Sequence, residues 1–242
     1  MRYRLEILAY HLDACRVAEE AGADRIEFCD NPAEGGTTPS FGSIRLAIRS
    51  AGIPVFPMIR PRGGDFLYSD TEFEAMKEDV LACKSVGAAG IVLGLLKADG
   101  SVDADRTAAL VDLAYPMDVT FHRAFDQARN PLEALEAIIQ CGCTRLLTSG
   151  QQATATDGIA LIKVLVEKSA NRIQIMPGSG LRAHNLAGIA DQTQAFEFHS
   201  SASSLKESAM LFRHPNQTDS STTVYPDPEE ISVMKRILQT RQ

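Results

Sequence analysis

The 242-residue chain has no tryptophan, no long apolar run and no surplus of basic residues, and these absences bound what it can be. With 24 Lys and Arg against 31 Asp and Glu, its net charge of −7 leaves no basic face for bulk binding of nucleic acid. The first apolar stretch, Leu5-Glu-Ile-Leu-Ala9, is too short and too soon interrupted for a signal peptide, and no later run approaches a membrane span. A cytoplasmic protein without membrane partners is the expectation. Five cysteines, at 15, 29, 83, 141 and 143, are odd in number and scattered, so no disulfide framework is predicted. Cys141-Gly-Cys143 has the spacing of a clip for a soft metal, and a helix end followed by a strand start accounts for it without one. No lysine stands at a predicted strand end, Lys97 being the nearest, which argues against a Schiff-base aldolase. No serine lies in a nucleophile-elbow sequence with an ordered Asp and His, which argues against a hydrolytic triad.

What the chain does have is alternation. From Tyr3 onward, strand-like and helix-like patterns follow one another with short connections, as in a parallel sheet with crossover helices. The patterns predict strands over 5–9, 24–28, 55–59, 89–94, 118–122, 145–149, 172–176 and 195–199. Helices are predicted over 11–21, 41–50, 71–86, 103–114, 130–141, 156–170, 182–190 and 226–238. Ser40 is placed to cap the second helix, and Asn130-Pro131 is a helix start with Pro at the first helical position. Eight such units in a chain near the usual ~250 residues predict an α/β fold, a single (β/α)8 TIM-type barrel occupying residues 1–242. The irregular segment 200–225, rich in Ser, Thr, Asn and Gln, interrupts the series before the last helix, and Thr218 to Thr223 within it is expected to be mobile.

Both faces of a parallel barrel strand are covered, so a charged side chain must find a partner or reach the open mouth. Here polar residues gather at the last strand positions: Glu6, Glu27, Arg60, His122, Ser149 and His199. That end is where barrels of this type carry their sites. Residues two apart share a face, which places Arg25 with Glu27, Thr120 with His122, and Glu197 with His199. Two arginines in Arg60-Pro-Arg-Gly-Gly-Asp65 suit a small anion, and equally a clasp within the loop. Pro177-Gly-Ser-Gly180, with Ser200-Ser201 after the eighth strand, stands where many barrels bind phosphate through backbone N–H groups, Gly178 and Gly180 giving the close approach; a tight turn explains it too. The remaining chemistry is proton transfer by Glu6, Glu27, His122 or His199, or metal binding by the same groups.

Six motifs in order are specific enough to name a family. Ala23-Asp-Arg-Ile-Glu-Phe-Cys29, Glu34-Gly-Gly-Thr-Thr-Pro-Ser40, Ile59-Arg-Pro-Arg-Gly-Gly-Asp65, Thr120-Phe-His-Arg-Ala-Phe-Asp126, Leu147-Thr-Ser-Gly150 and Glu197-Phe-His-Ser-Ser201 resemble the copper homeostasis protein CutC family across residues 5–202. The resemblance implies a TIM-type barrel, a cytoplasmic homodimer, and copper binding and tolerance. Carried over by position, the site comprises Glu6, Glu27, Arg60, Arg62, Asp65, His122, Arg123, Ser149 and His199, with Cys29 the matched thiol nearest to it as the metal candidate. The chain departs from the family pattern at Leu8, where many members carry cysteine, and at Phe28 and Pro177. Cu(I) prefers Cys and Met, whereas these motifs are dominated by Arg, Glu and His. Two readings follow: a copper-binding homeostasis protein, and an enzyme acting by acid–base chemistry on a small phosphorylated or carboxylated metabolite.

Overall fold

Strand alternation divides the chain into an outer apolar shell and an inner polar ring. A computed structural model of the chain describes residues 3–214, 216 and 222–241. Its first half runs β1 (Arg4–Ala9), α1 (Leu12–Glu20), β2 (Arg25–Phe28), α2 (Phe41–Ser50), β3 (Val55–Pro57), α3 (Asp70–Ser85), β4 (Gly90–Leu93) and α4 (Ala104–Ala114). The second continues through β5 (Asp118–Phe121), α5 (Pro131–Gln140), β6 (Arg145–Thr148), α6 (Ile159–Ser169), β7 (Gln174–Pro177), α7 (Ala183–Thr193) and β8 (Glu197–Ser200). A hairpin of β9 (Ser203–Glu207) and β10 (Thr222–Pro226) then precedes α8 (Pro228–Gln239).

The strands pair in parallel as two arcs, β3-β2-β1-β8 and β4-β5-β6-β7. A bridge between Met58 and Val92 joins β3 to β4, and β7 runs beside β8, so the arcs form the eight-stranded TIM-type barrel. Residues such as Leu5, Ile7, Ile26, Phe28, Ile91, Leu93, Phe121 and Phe198 are buried in the large core between strands and helices. Their neighbours of opposite parity, including Cys29, Phe56, Met58 and Val92, form a separate small cluster inside the ring.

Local chemistry sets the helix starts. Ser40 caps α2 by accepting from the Ser43 N–H at 3.3 Å, and Ser69 with Glu72 forms a capping box at α3. Asn130 accepts from the N–H groups of Leu132 and Glu133, with Pro131 opening α5. Lys235 of α8 is buried and pairs with Asp24, which also accepts from the Leu5 N–H at 2.8 Å; this ties the last helix to the first strand.

The segment after β8 differs from expectation. Instead of an irregular connection, Ser203–Glu207 and Thr222–Pro226 pair antiparallel as an exposed hairpin, with Tyr225 stacked on His11 at 5.9 Å. Of the stretch expected to be mobile, residues 218–221 lie outside the described residues, while Thr222 and Thr223 open β10. Among the described residues, no helix is long and apolar enough to cross a membrane.

Candidate functional site

The site rests on a floor of buried charge. Glu6 on β1 lies in register with Arg25 of β2 on one side and His199 of β8 on the other. Its Oε2 accepts from Arg25 Nε, and its Oε1 is 2.7 Å from His199 Nδ1. Arg25 reaches on to Glu197 at 2.8 Å, and Arg145 of β6 pairs with the same carboxylate. Both guanidinium groups lie over the ring of Phe56, 5.0 and 5.5 Å from its centroid. Two arginines and two carboxylates therefore occupy the lower barrel, where branched apolar layers commonly sit. Burial opposes ionisation of Glu6, but Arg25 and then His199 outweigh it and hold this carboxyl far below the usual range.

Above the floor opens a cavity of about 660 Å³, lined by Glu27, Arg60, His122, Arg123, Gly180 and His199 among others. Glu27 is buried with its Oε1 unpartnered, and its Oε2 is 3.8 Å from His199 Nε2. Burial, reinforced by the charge of Glu6, raises Glu27 from an ordinary 4.5 to about 7. His199 shifts upward as well: burial works against its charging, and Glu27 and Glu6 outweigh burial. Glu6 fixes the His199 ring through Nδ1 and leaves Nε2 toward Glu27, an arrangement suited to sharing one proton.

His122 is set differently. Its Nδ1 accepts from the Ala124 N–H at 3.1 Å, capping the short 3-10 turn at Arg123–Gln127. A ring nitrogen that accepts carries no proton, so the neutral imidazole bears its hydrogen on Nε2, which is buried without a partner. Burial, then the charges of Arg60 and Arg123, lower His122 from 6.5 to about 3. His122, one of the four groups considered for proton transfer, is thus held as a neutral hydrogen-bond donor near neutral pH. Gly94 makes room for the ring: a Cβ there would stand 2.4 Å from Nδ1.

The other expected residues separate into three groups. Arg123 reaches the cavity rim, its Nε donating to Asp126 at 2.9 Å and its Nη2 to Ser149 Oγ at 3.2 Å. Arg60 lines the cavity but spends its Nη1 on the carbonyls of Glu34 and Gly36 and its Nη2 on that of Gly64, leaving Nε unpartnered. It acts chiefly as the clasp between the loops after β2 and β3. Ser149 stands behind the wall, its hydroxyl against Asp126 Oδ2 at 2.9 Å. Gly178 is also behind the wall, where a Cβ would stand 2.4 Å from Leu147 Cδ1; close packing with Leu147 and His199 is what requires glycine.

Four further expected residues do not line the cavity. Arg62 binds Glu72, Asp65 and the carbonyls of Gly63, Asp65 and Leu67, so it and Asp65 hold a loop and do not line the cavity. Ser200 follows His199 by one residue and therefore points outward, donating to the Leu181 carbonyl at 2.7 Å. Cys29 is 1% exposed beneath the Gly36 turn, and burial followed by the charges of Glu27 and Glu6 pushes its thiol well above the ordinary range.

Sequence reasoning missed Asp126 as an organiser. Its carboxylate accepts from Thr148 Oγ1, from the Ser149 and Gln151 N–H groups and from Arg123, gathering the loops after β5 and β6. Its place at the end of the Thr120–Asp126 motif was the available signal. Arg145, as the first residue of a strand, gave none.

The donor set does not fit a thiolate centre for Cu(I). No thiol lines the cavity, Met58 supplies a lone thioether, and Leu8 occupies the cavity wall where a second cysteine would stand. Glu6, Glu27 and His199 each bring one ligand atom within 4.8 Å of the others, the one such grouping among the described residues. Both Glu6 oxygens are already committed to Arg25 and His199, which leaves two open ligands, fewer than a resident ion takes. Cys141 and Cys143 do not clip a metal either: Cys141 ends α5 with its thiol toward the Ala104 carbonyl, Gly142 makes the turn at φ +84°, and Cys143 enters the core.

Comparison with known proteins agrees with the motifs. The CutC family model matches residues 3–204. A CutC family protein of Chromobacterium violaceum is 54% identical over 209 residues, covering 86% of this chain and 85% of the relative. The human protein named copper homeostasis protein cutC homolog is 46% identical over 212 residues, covering 88% and 78% of the two chains. The crystal structure of CutC from Streptococcus agalactiae superposes with a TM-score of 0.78 at 34% identity, over 82% of this chain and 98% of that one. By sequence, by motif and by fold, this chain belongs to the CutC family.

Proposed function

We propose that this protein serves copper homeostasis, the role in the name of its human relative, and that it does so through acid–base chemistry on a small anionic metabolite. The first part rests on family membership at 46% identity over most of the chain. One observation carries the second: Glu27 Oε1 and His122 Nε2 are a buried acceptor and a buried donor, both unpartnered, on residues lining one cavity. Each unpartnered buried polar group costs roughly 1–3 kcal/mol, a cost a bound ligand removes. Glu27 and His199 hold the working proton, Glu6 positions His199, and Arg123 attracts the anion. The cytoplasm and a homodimer complete the reading on the family's footing. The exposed apolar side chains Leu205, Met210, Leu211 and Phe212 support an intersubunit surface.

Complementation separates the two ways copper enters. In a copper-sensitive host lacking its own family member, wild type and Cys29→Ser are expected to restore tolerance and Glu27→Gln to fail. Loss of tolerance with Cys29→Ser, together with near-stoichiometric Cu(I) binding by wild type that this variant loses, would establish the thiol reading instead. No rescue by wild type would remove the copper role.

A further inference from the structure

We infer that the cavity catalyses enolisation of a small anionic ketone or aldehyde, Glu27 taking the proton from the carbon beside the carbonyl and His122 Nε2–H holding the oxygen. This deepens the acid–base reading above and rests on it.

The unpartnered atoms specify the ligand. His122 offers one N–H and, with Nδ1 engaged by Ala124, has no acceptor left for a hydroxyl proton. Its partner is therefore an acceptor oxygen. Glu27 Oε1 offers a lone pair with nothing to receive. A carbonyl compound with an acidic C–H brings the matching pair of groups, an acceptor oxygen for His122 and a proton for Glu27, to the cavity that both residues line. The anion follows from Arg123, whose Nη1 has no partner among the described residues and whose side chain is 44% exposed at the rim, next in sequence to His122. A carboxylate or phosphate close to the carbonyl would accept the hydrogen bond that Nη1 has to give.

Other chemistries lack their groups. No lysine and no thiol lines the cavity; of its three hydroxyls, Ser179 donates to the Ala153 carbonyl, Ser201 donates to Ser203, and burial pushes the Tyr10 phenol above its ordinary range and keeps it protonated. Covalent catalysis has no activated nucleophile here.

The step balances without a co-reactant. The C–H bond breaks and its proton passes to Glu27 Oε1; the bonding pair forms a carbon–carbon double bond; the carbonyl π pair moves onto oxygen, which accepts the His122 hydrogen bond. Return of a proton from Glu27 restores the carbonyl. The titration behaviour fits these roles: a carboxyl raised to about 7 is a stronger base than an ordinary one, and an imidazole lowered to about 3 donates without first being charged.

Deuterium wash-in tests it. The full chain is incubated in D2O with dihydroxyacetone phosphate, glyceraldehyde 3-phosphate, 2-oxobutyrate or hydroxypyruvate, and loss of the α-proton signal is followed by proton NMR. Enzyme-dependent exchange is expected with at least one probe, the phosphates and carboxylates telling the two anions apart. Glu27→Gln should slow it by about 100-fold or more, and His122→Asn by at least about 10-fold. Asn can keep the cap to the Ala124 N–H through Oδ1 while lacking the Nε2–H, so its loss reports the donor and not the fold. Exchange with none of the four probes, or exchange indifferent to Glu27→Gln, overturns the assignment. If exchange is absent while copper tolerance still depends on Glu27, only the carbon-acid step falls; if tolerance is also indifferent to Glu27, the acid–base reading falls with it.

Discussion

Replacing Glu27 by glutamine should stabilise the protein above neutral pH while removing the acid–base function proposed for this carboxyl. Below pH 4.5 the Glu27 carboxyl is protonated in both folded and unfolded chains and contributes nothing. Between 4.5 and about 7 the unfolded chain gives up this proton and the folded protein keeps it, so stability falls as pH rises. At about 1.4 kcal/mol per pH unit, the deficit reaches roughly 3 kcal/mol by about pH 8. His199 adds to the same trend: its raised value is stabilising at low pH and is lost on going alkaline, less so in the variant because Glu27 is the strongest of the charges raising it. Glu6, held low, gives its full contribution throughout this window and drops out of the comparison. Urea unfolding of wild type and Glu27→Gln at about pH 5 and about pH 8 isolates the effect. Wild type should lose roughly 3 kcal/mol more than the variant, or roughly 6–12 °C in Tm for a chain of this length. Parallel pH dependence, within about 0.5 kcal/mol, would refute the buried carboxyl of raised pKa on which the site rests.

Arg25→Met should leave Glu6 and Glu197 buried without their shared cation, at a cost of roughly 3–5 kcal/mol in urea unfolding; full stability would mean the floor charges are dispensable. Gly94→Ala places a methyl 2.4 Å from His122 Nδ1 and 3.0 Å from Ala124 Cβ, and should cost about 1–3 kcal/mol by thermal unfolding, together with any activity that needs the ring in place. Arg123→Ala should abolish thermal protection by inorganic phosphate while Arg62→Ala retains it, because Arg62 is consumed within its own loop; the opposite ranking would return Arg62 to the site.

Much of the barrel was legible because every strand obeys one rule. Period-two alternation separates Leu5 and Ile7 from Glu6, and Ile26 from Arg25 and Glu27, and a parallel barrel turns that separation into shell and ring. The same rule sends His199 inward and Ser200 outward, so the expectation for Ser200 failed by one residue. Capping chemistry at Ser40 and Asn130 fixed two helix starts for local reasons. Partner choice was not legible. That Arg25 bridges Glu6 and Glu197 depends on the stagger of β8 against β1, and that Arg62 folds back on Glu72 depends on loop closure. The hairpin of β9 and β10 escaped because only Pro226 in it is buried: with almost no buried face, its sequence shows no alternation of polarity to read.

The charged floor also governs traffic. Arg25, Arg145, Glu197 and Phe56 are buried beneath the cavity and stopper the barrel there, so on the proposed reading a metabolite has to enter and leave by the same opening at the strand ends. Departing product and arriving substrate would then compete for one doorway, and an enzyme so built would be throttled by its own product.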